Sequence, residues 1–420
     1  MAFISLLAYI IMIYMRPQEW VQVVHGLPLL NITAIITVVL FVIGKKNKLV
    51  SVPQNVILIF FLCALMLSHL SQFYFGNTLA TLVDFSKTVI VYFLIVNIIN
   101  SEKKIIVTCK VLVWLTVVLA LQGYWQSKTG FGLAAQPILS NEDGTRITWI
   151  GIFDDPNDLA LGFVMVIPFV LLTLLKERFL GKMLSLVALV SLMYGIYLTN
   201  SRGGVLASGA VFASFFYNYV KNKKVFLLGL LVVATIAIVG IRFGPSRMTQ
   251  MSSEEESSHG RIDAWYEGFE MFKSAPVFGV GYMMFTEHHY LTAHNSFVLC
   301  FAETGFLGYF LWVSLFYLSF KSLAELRKMS ERSAISEFFR LYSYALQSSL
   351  IGFLTAAFFL SRTYVVLPYI LIALIGAMYA IGQPNIRQRN KLINMAALRN
   401  IFVISVASML FIYVFVKLTI

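Results

Sequence analysis

The sequence predicts an all-α fold: a polytopic membrane helical bundle of 12–13 transmembrane helices, forming one integral-membrane domain over residues 1–420. Three observations carry this. Hydrophobic residues make up 59% of the chain and charged residues only 12%, against roughly 25% charged in soluble domains. Apolar runs near the roughly 20 residues that a helix needs to cross a bilayer recur along the whole length. Lys and Arg gather in every second connection, the pattern that orients membrane proteins.

Taken in order, the apolar runs are Ala2 to Met15, Leu27 to Gly44, Val52 to Tyr74, Thr78 to Ile99, Ile105 to Tyr124, Asp158 to Leu175 and Met183 to Thr199. Gly203 to Val220, Val225 to Phe243, Asn295 to Phe320, Phe338 to Leu360, Thr363 to Ile381 and Asn400 to Leu418 follow. The first is short, lacks a small-residue cleavage site and is read as retained rather than as a signal peptide. Only Asn200, Ser201 and Arg202 separate Met183 to Thr199 from the next run. That is why the count is twelve or thirteen. Of 32 Lys and Arg, 21 fall in one set of alternating connections and 9 in the other, with Lys87 and Lys417 inside or at the tip of apolar runs. Basic connections stay cytoplasmic, so the amino terminus is expected there. The other connections, Arg202 and Arg362 among them, are then expected on the far face.

Residues 244–294 form the one long connection, and they hold four of the six histidines: His259, His288, His289 and His294. From Arg261 to Lys273, Ile262, Trp265, Phe269 and Phe272 recur at helical spacing with Asp263, Glu267, Glu270 and Lys273 between them, predicting an amphipathic helix. Elsewhere, Asp155 before Pro156 reads as a helix N-cap with proline in the first turn. Asp84 and Lys87 lie one turn apart inside an apolar run and are expected to neutralise each other facing the bundle interior. Cys63, Cys109 and Cys300 match no disulfide or zinc spacing. The net charge of +12 comes in small clusters between apolar runs, with no aromatic-interleaved basic face, so no nucleic-acid partner is expected.

Arg202, followed by Gly203 and Gly204, stands at a helix start. Bare backbone N–H groups and the helix dipole favour an anion there; an arginine reaching for lipid headgroups is the plainer alternative. Arg261 opens the amphipathic helix as a second cation, or as an ordinary surface charge. His294, before Asn295 and Ser296, has the chemistry of a general base near neutral pH or of a locally satisfied helix-start residue. Zinc held by His288, His289 and His294 is disfavoured, because adjacent histidines are seldom both ligands and no cysteine is near.

Together these residues resemble the bacterial O-antigen ligases. Arg202 and Leu206 match an arginine, three residues and a leucine. His294 and Asn295, nine residues, Gly305, two residues and Gly308 match a second motif, although Tyr309 and Phe310 replace the threonines that often follow it. Arg261 takes the place of the family's second arginine. The segment from Arg16 to Trp20 and that from Phe153 to Asp158 look like the branch known as exosortase-associated O-glycosylation ligases. The resemblance implies a multi-pass protein of the bacterial inner membrane. Its active site would face the periplasm, with residues 244–294 as a periplasmic loop. The implied reaction moves a glycan from undecaprenyl pyrophosphate to an acceptor hydroxyl, lipid A-core in the ligase type, with inversion and without metal or cofactor. His294, Arg202 and Arg261 would be catalytic; Gly203, Gly204, Asn295 and Arg362 would bind substrate. A polymerase joining lipid-linked repeats, a protein O-oligosaccharyltransferase and a lipid-linked glycan transporter are the alternatives.

Overall fold

The structure, a computed structural model, describes residues 1–44, 49–141, 144–219, 255–332 and 334–419. Its long elements are helices: α1 (Ala2–Met15), α2 (Leu29–Gly44), α3 (Pro53–Leu70), α4 (Phe75–Ile98), α5 (Glu102–Thr129), α6 (Pro156–Lys176), α7 (Phe179–Thr199), α8 (Arg202–Tyr219), α9 (Glu255–Ser274), α10 (Phe285–His288), α11 (Ser296–Glu331), α12 (Glu337–Ala357), α13 (Val366–Gly382), α14 (Ile386–Asn390) and α15 (Met395–Thr419). The described sheet is one hairpin, β1 (Leu139–Asn141) with β2 (Gly144–Arg146). Seven of the described stretches are long and apolar enough to cross a membrane, namely α3 to α7, α11 and Ile386–Thr419. The fold is therefore the expected all-α, polytopic helical bundle of a multi-pass membrane protein. Each predicted run but one coincides with a helix; Val225 to Phe243 lies outside the described residues.

The chain divides into two compact units. The first comprises Met1–Leu49, Asn97–Met251 and Met329–Ala356. Its centre is α6, buried along nearly its whole length and packed against α5, α7 and α8. Asp155 caps α6 as expected, its Oδ1 accepting the Asn157 N–H at 2.7 Å, with Pro156 in the first turn. Asp155→Ala is expected to cost about 1 kcal/mol, measurable as a lowered midpoint of thermal unfolding in detergent. α12 lies close to α6 and α8 because Gly352 has no side chain. A Cβ there would stand 2.5 Å from Val211 and 3.0 Å from Val164. Above α6, the turn after α1 meets the turn before α6. The Trp149 indole donates to the Tyr14 carbonyl at 3.0 Å, and Trp20 packs edge-on against Trp149.

The second unit comprises Val50–Val96, Ser252–Lys328 and Ala357–Ile420. In it α13 is buried almost throughout, and α9 lies along α15. The predicted amphipathic helix exists and is longer than its apolar pattern. Trp265 and Phe269 are buried, while Ile262 and Phe272 are half-buried. The aromatic face packs on protein: Trp265 against Phe358 and Phe415, and Phe269 against Phe301 and Tyr413.

One expectation is corrected. Asp84 and Lys87 do pair, at 2.9 Å, but their side chains are 58% and 66% exposed on the outer face of α4. The three-residue spacing fixed their pairing. It carried no information about which face of α4 turns inward, and Phe85 and Thr88 occupy the buried one.

Candidate active site

The second unit builds its polar centre around a break in α11. Gly305 adopts φ 63°, ψ −167°, a conformation open essentially to glycine alone. The break frees the N–H groups of Phe306 and Leu307, which a continuous helix would spend on carbonyls one turn back. They donate instead to the Pro276 and Val277 carbonyls at 2.8 and 3.2 Å. In return, the Val280 and Gly281 N–H groups reach the Ala302 and Glu303 carbonyls at 3.1 and 3.0 Å. The segment after α9 is thereby laid along α11, backbone to backbone. Such closeness excludes side chains: a Cβ on Gly305 would stand 2.4 Å from the Val277 carbonyl carbon, and one on Gly279 2.3 Å from that of Glu303. The glycine motif that the sequence matched has a mechanical meaning here. It lets the segment ahead of His294 dock.

The turn 292–296 is gripped from two sides. The Trp265 indole donates to the Ala293 carbonyl at 2.8 Å, tying α9 to the residue next to His294. Arg261 lies four residues before Trp265 and so on the same face of that helix, half-buried. On the other side runs the segment between α12 and α13. There Thr292 Oγ1 donates to Ser361 Oγ at 2.9 Å, Ser296 Oγ accepts the Arg362 N–H at 2.8 Å, and Thr363 Oγ1 donates to the Ser296 carbonyl at 2.8 Å. His294 has a left-handed backbone, φ 46°. It turns the chain sharply into α11, and Asn295 caps that helix, its Oδ1 accepting from the Phe297 and Val298 N–H groups at 2.9 and 3.2 Å. Three of the expected residues, Arg261, His294 and Arg362, are thus carried by segments hydrogen-bonded to one another. Asn295 is fully buried, and its oxygen serves the helix start.

Behind this turn lies a polar group that the sequence did not single out. Glu303 is 1% exposed, and its Oε1 accepts the Phe285 N–H at 3.1 Å. Its Oε2 and the Tyr364 hydroxyl are both buried atoms without a hydrogen-bond partner among the described residues. The Tyr364 ring packs edge-on against Tyr282 and stacks on Phe61. A glutamate in an apolar run is the signal that could have drawn attention to position 303.

In the first unit, Asn200 ends α7 in the left-handed region, φ 51°, so α7 and α8 are separate helices. Ser201 Oγ accepts the Gly204 N–H at 3.2 Å and donates to Asn157 Oδ1 at 2.8 Å, and that oxygen also accepts from Arg146. Arg202 begins α8, half-buried. Gly204 serves packing: a Cβ there would stand 2.8 Å from the Ala160 methyl on α6. Among the described residues, no three His, Cys, Asp or Glu side chains are grouped to hold a metal ion. His289 is engaged with the Leu291 backbone, its Nδ1 3.1 Å from that N–H.

A model of the O-antigen ligase family (Wzy_C) matches residues 186–313. No curated protein matches the chain. The matched stretch runs from within α7 to within α11 and includes Arg202, Arg261, His294, Gly305 and Gly308; Arg362 lies beyond it. The family is one of membrane ligases and polymerases acting on lipid-linked glycans. Residues 186–313 are thus similar to the O-antigen ligase superfamily.

Proposed function

We propose that the protein is an inverting glycosyltransferase of the bacterial inner membrane. It moves a glycan from undecaprenyl pyrophosphate to a hydroxyl of lipid A-core at the periplasmic face, using no metal and no cofactor. The observation that carries this reading is the gripped turn of the second unit, where a histidine is held between one segment bearing Arg261 and another bearing Arg362. The chemistry needs those groups. His294 accepts the proton of the acceptor hydroxyl. The oxygen attacks the anomeric carbon from the face opposite the pyrophosphate, and the bond from that carbon to the phosphate oxygen breaks. Negative charge builds on the departing pyrophosphate, where fixed positive charge stabilises it most. Guanidinium forks match phosphate oxygens in pairs. Arg261 takes that role and Arg362 orients the donor; Arg202 is the further cation that the family resemblance implies for the pyrophosphate, with Gly203 beside it.

Purified protein in detergent, given an undecaprenyl pyrophosphate-linked glycan with lipid A-core, is expected to release undecaprenyl pyrophosphate and yield a core-linked glycan identifiable by mass spectrometry. A product made only from two lipid-linked repeats, or only on a protein hydroxyl, would replace the acceptor assignment. No release with any acceptor would reject the glycosyltransferase reading in favour of transport. Arg202→Ala and Arg261→Ala are each expected to lower kcat by about a hundredfold or more, with the protein still inserted in the membrane.

A further inference from the structure

We infer that Asn157 is a positioning residue for Arg202: its side-chain oxygen ties the end of α7 to the start of α8 and so fixes where the guanidinium stands. The inference rests on the reading of Arg202 as a cation for the pyrophosphate. Asn157 itself touches no substrate.

A helix leaves its last four carbonyls without partners of its own, and in α7 all four are used. The Ile196 carbonyl accepts from Thr199 Oγ1 at 2.6 Å, and the Tyr197 carbonyl accepts the Asn200 N–H at 3.0 Å. The Leu198 and Thr199 carbonyls are taken from outside the helix, by the Ile147 N–H at 3.2 Å and by Arg146 Nε at 2.9 Å. β2 and the residue after it thus close α7. The same guanidinium then reaches α6, where its Nη2 donates to Asn157 Oδ1 at 3.0 Å. Ser201 meets that oxygen from the other end of the turn. Its hydroxyl accepts the Gly204 N–H in the first turn of α8, so its own proton goes to Asn157 Oδ1, at 2.8 Å. An amide oxygen has two lone pairs; one takes the group that closes α7, the other the cap of α8. Asn157 is itself held at the start of α6, the central helix of the unit, by the Asp155 carboxylate. Thr199, Asn200 and Ser201 are buried and Arg202 only half so. The side chain that emerges from the turn therefore takes its place from a turn that one oxygen holds closed.

The test is a double-substitution cycle read by binding. Undecaprenyl pyrophosphate carries the full charge of the departing group, so its affinity for the purified full-length protein in detergent reports on the guanidinium. Arg202→Ala is expected to weaken binding about tenfold or more, and Asn157→Ala several-fold. Because Asn157 acts through Arg202, the doubly substituted protein is expected to bind no worse than Arg202→Ala alone. Asn157→Asp keeps an oxygen for both Arg146 and Ser201 and is expected to restore most of the affinity. Amide hydrogen exchange over residues 199–206 follows the turn itself: Asn157→Ala should speed it several-fold, and Asn157→Asp should leave it near the parental rate. Losses that multiply in the doubly substituted protein, or parental affinity in Asn157→Ala, overturn the positioning role. Should Asn157→Ala fail to fold, Ser201→Ala removes the same hydrogen bond from its other end and takes its place in the cycle. If the parent protein does not bind undecaprenyl pyrophosphate, or Arg202→Ala binds it as the parent does, the assignment of Arg202 falls. Exchange then judges the turn alone, and a parental rate in Asn157→Ala overturns the hold of Asn157 on it.

Discussion

His294→Asn is expected to abolish glycan transfer while leaving the structure almost untouched. The choice of asparagine matters. His294 sits at φ 46°, and among residues with a side chain asparagine enters that region most readily, whereas alanine there carries a strain of about 1–2 kcal/mol. An alanine variant would therefore mix a backbone effect with the loss of the imidazole. With asparagine, the turn between Ala293 and Asn295 keeps its shape, the Trp265 indole keeps its carbonyl acceptor, and Ser296 keeps the strap. What disappears is the group that accepts a proton. General-base catalysis is worth roughly 10²- to 10⁴-fold, so kcat should fall by that factor while donor binding, measured by retention of a lipid-linked glycan, stays within about threefold. Activity within a few-fold of the parent would remove His294 from the proton transfer and would turn attention to another acceptor on the gripped turn.

How much of this was legible beforehand depends on the kind of information each feature needs. Membrane helices announce themselves by apolar length, because a backbone in lipid must satisfy its own hydrogen bonds and helices do so locally. The helix bearing Arg261 was legible too, through spacing, although it extends several residues beyond the apolar pattern at its start. The break at Gly305 was not. Residues 296–320 are apolar on both sides of it, and hydropathy cannot distinguish a straight helix from one that opens to accept another segment. The glycine motif marked the place without giving the reason, which lies in Gly279 and Val277, about thirty residues upstream. Face was equally hidden: Asp84 and Lys87 were expected inward and lie outward. Asn295 shows a third limit. A polar residue beside a candidate base reads equally well as a substrate contact or as a cap, and only the positions of the Phe297 and Val298 N–H groups reveal the cap.

Gly305→Ala is expected to cost the most stability of any conservative change in the second unit. Two penalties combine. The backbone at φ 63°, ψ −167° is strained for any L side chain by about 1–3 kcal/mol. The new methyl would also lie 2.4 Å from the Val277 carbonyl carbon and 2.5 Å from the Phe278 nitrogen, both main-chain atoms that cannot swing aside. Relief requires the docked segment to lift, and lifting it breaks the hydrogen bonds from Phe306 to Pro276 and from Leu307 to Val277. Buried N–H groups left unpaired cost about 1–3 kcal/mol each. The sum is about 3–9 kcal/mol, at or beyond the upper end of what single substitutions usually cost. Gly308→Ala is the contrast. Its Cβ would stand 2.3 Å from the Thr304 Cβ, which no side-chain rotation moves, so the helix itself must give way, but its backbone is not strained in the way of Gly305 and a smaller loss of about 1–3 kcal/mol is expected. Thermal unfolding in detergent, read beside protease cleavage within 276–281, separates the two. Gly305→Ala with a parental midpoint and no new cleavage would mean that the segment is held by something other than the break in α11.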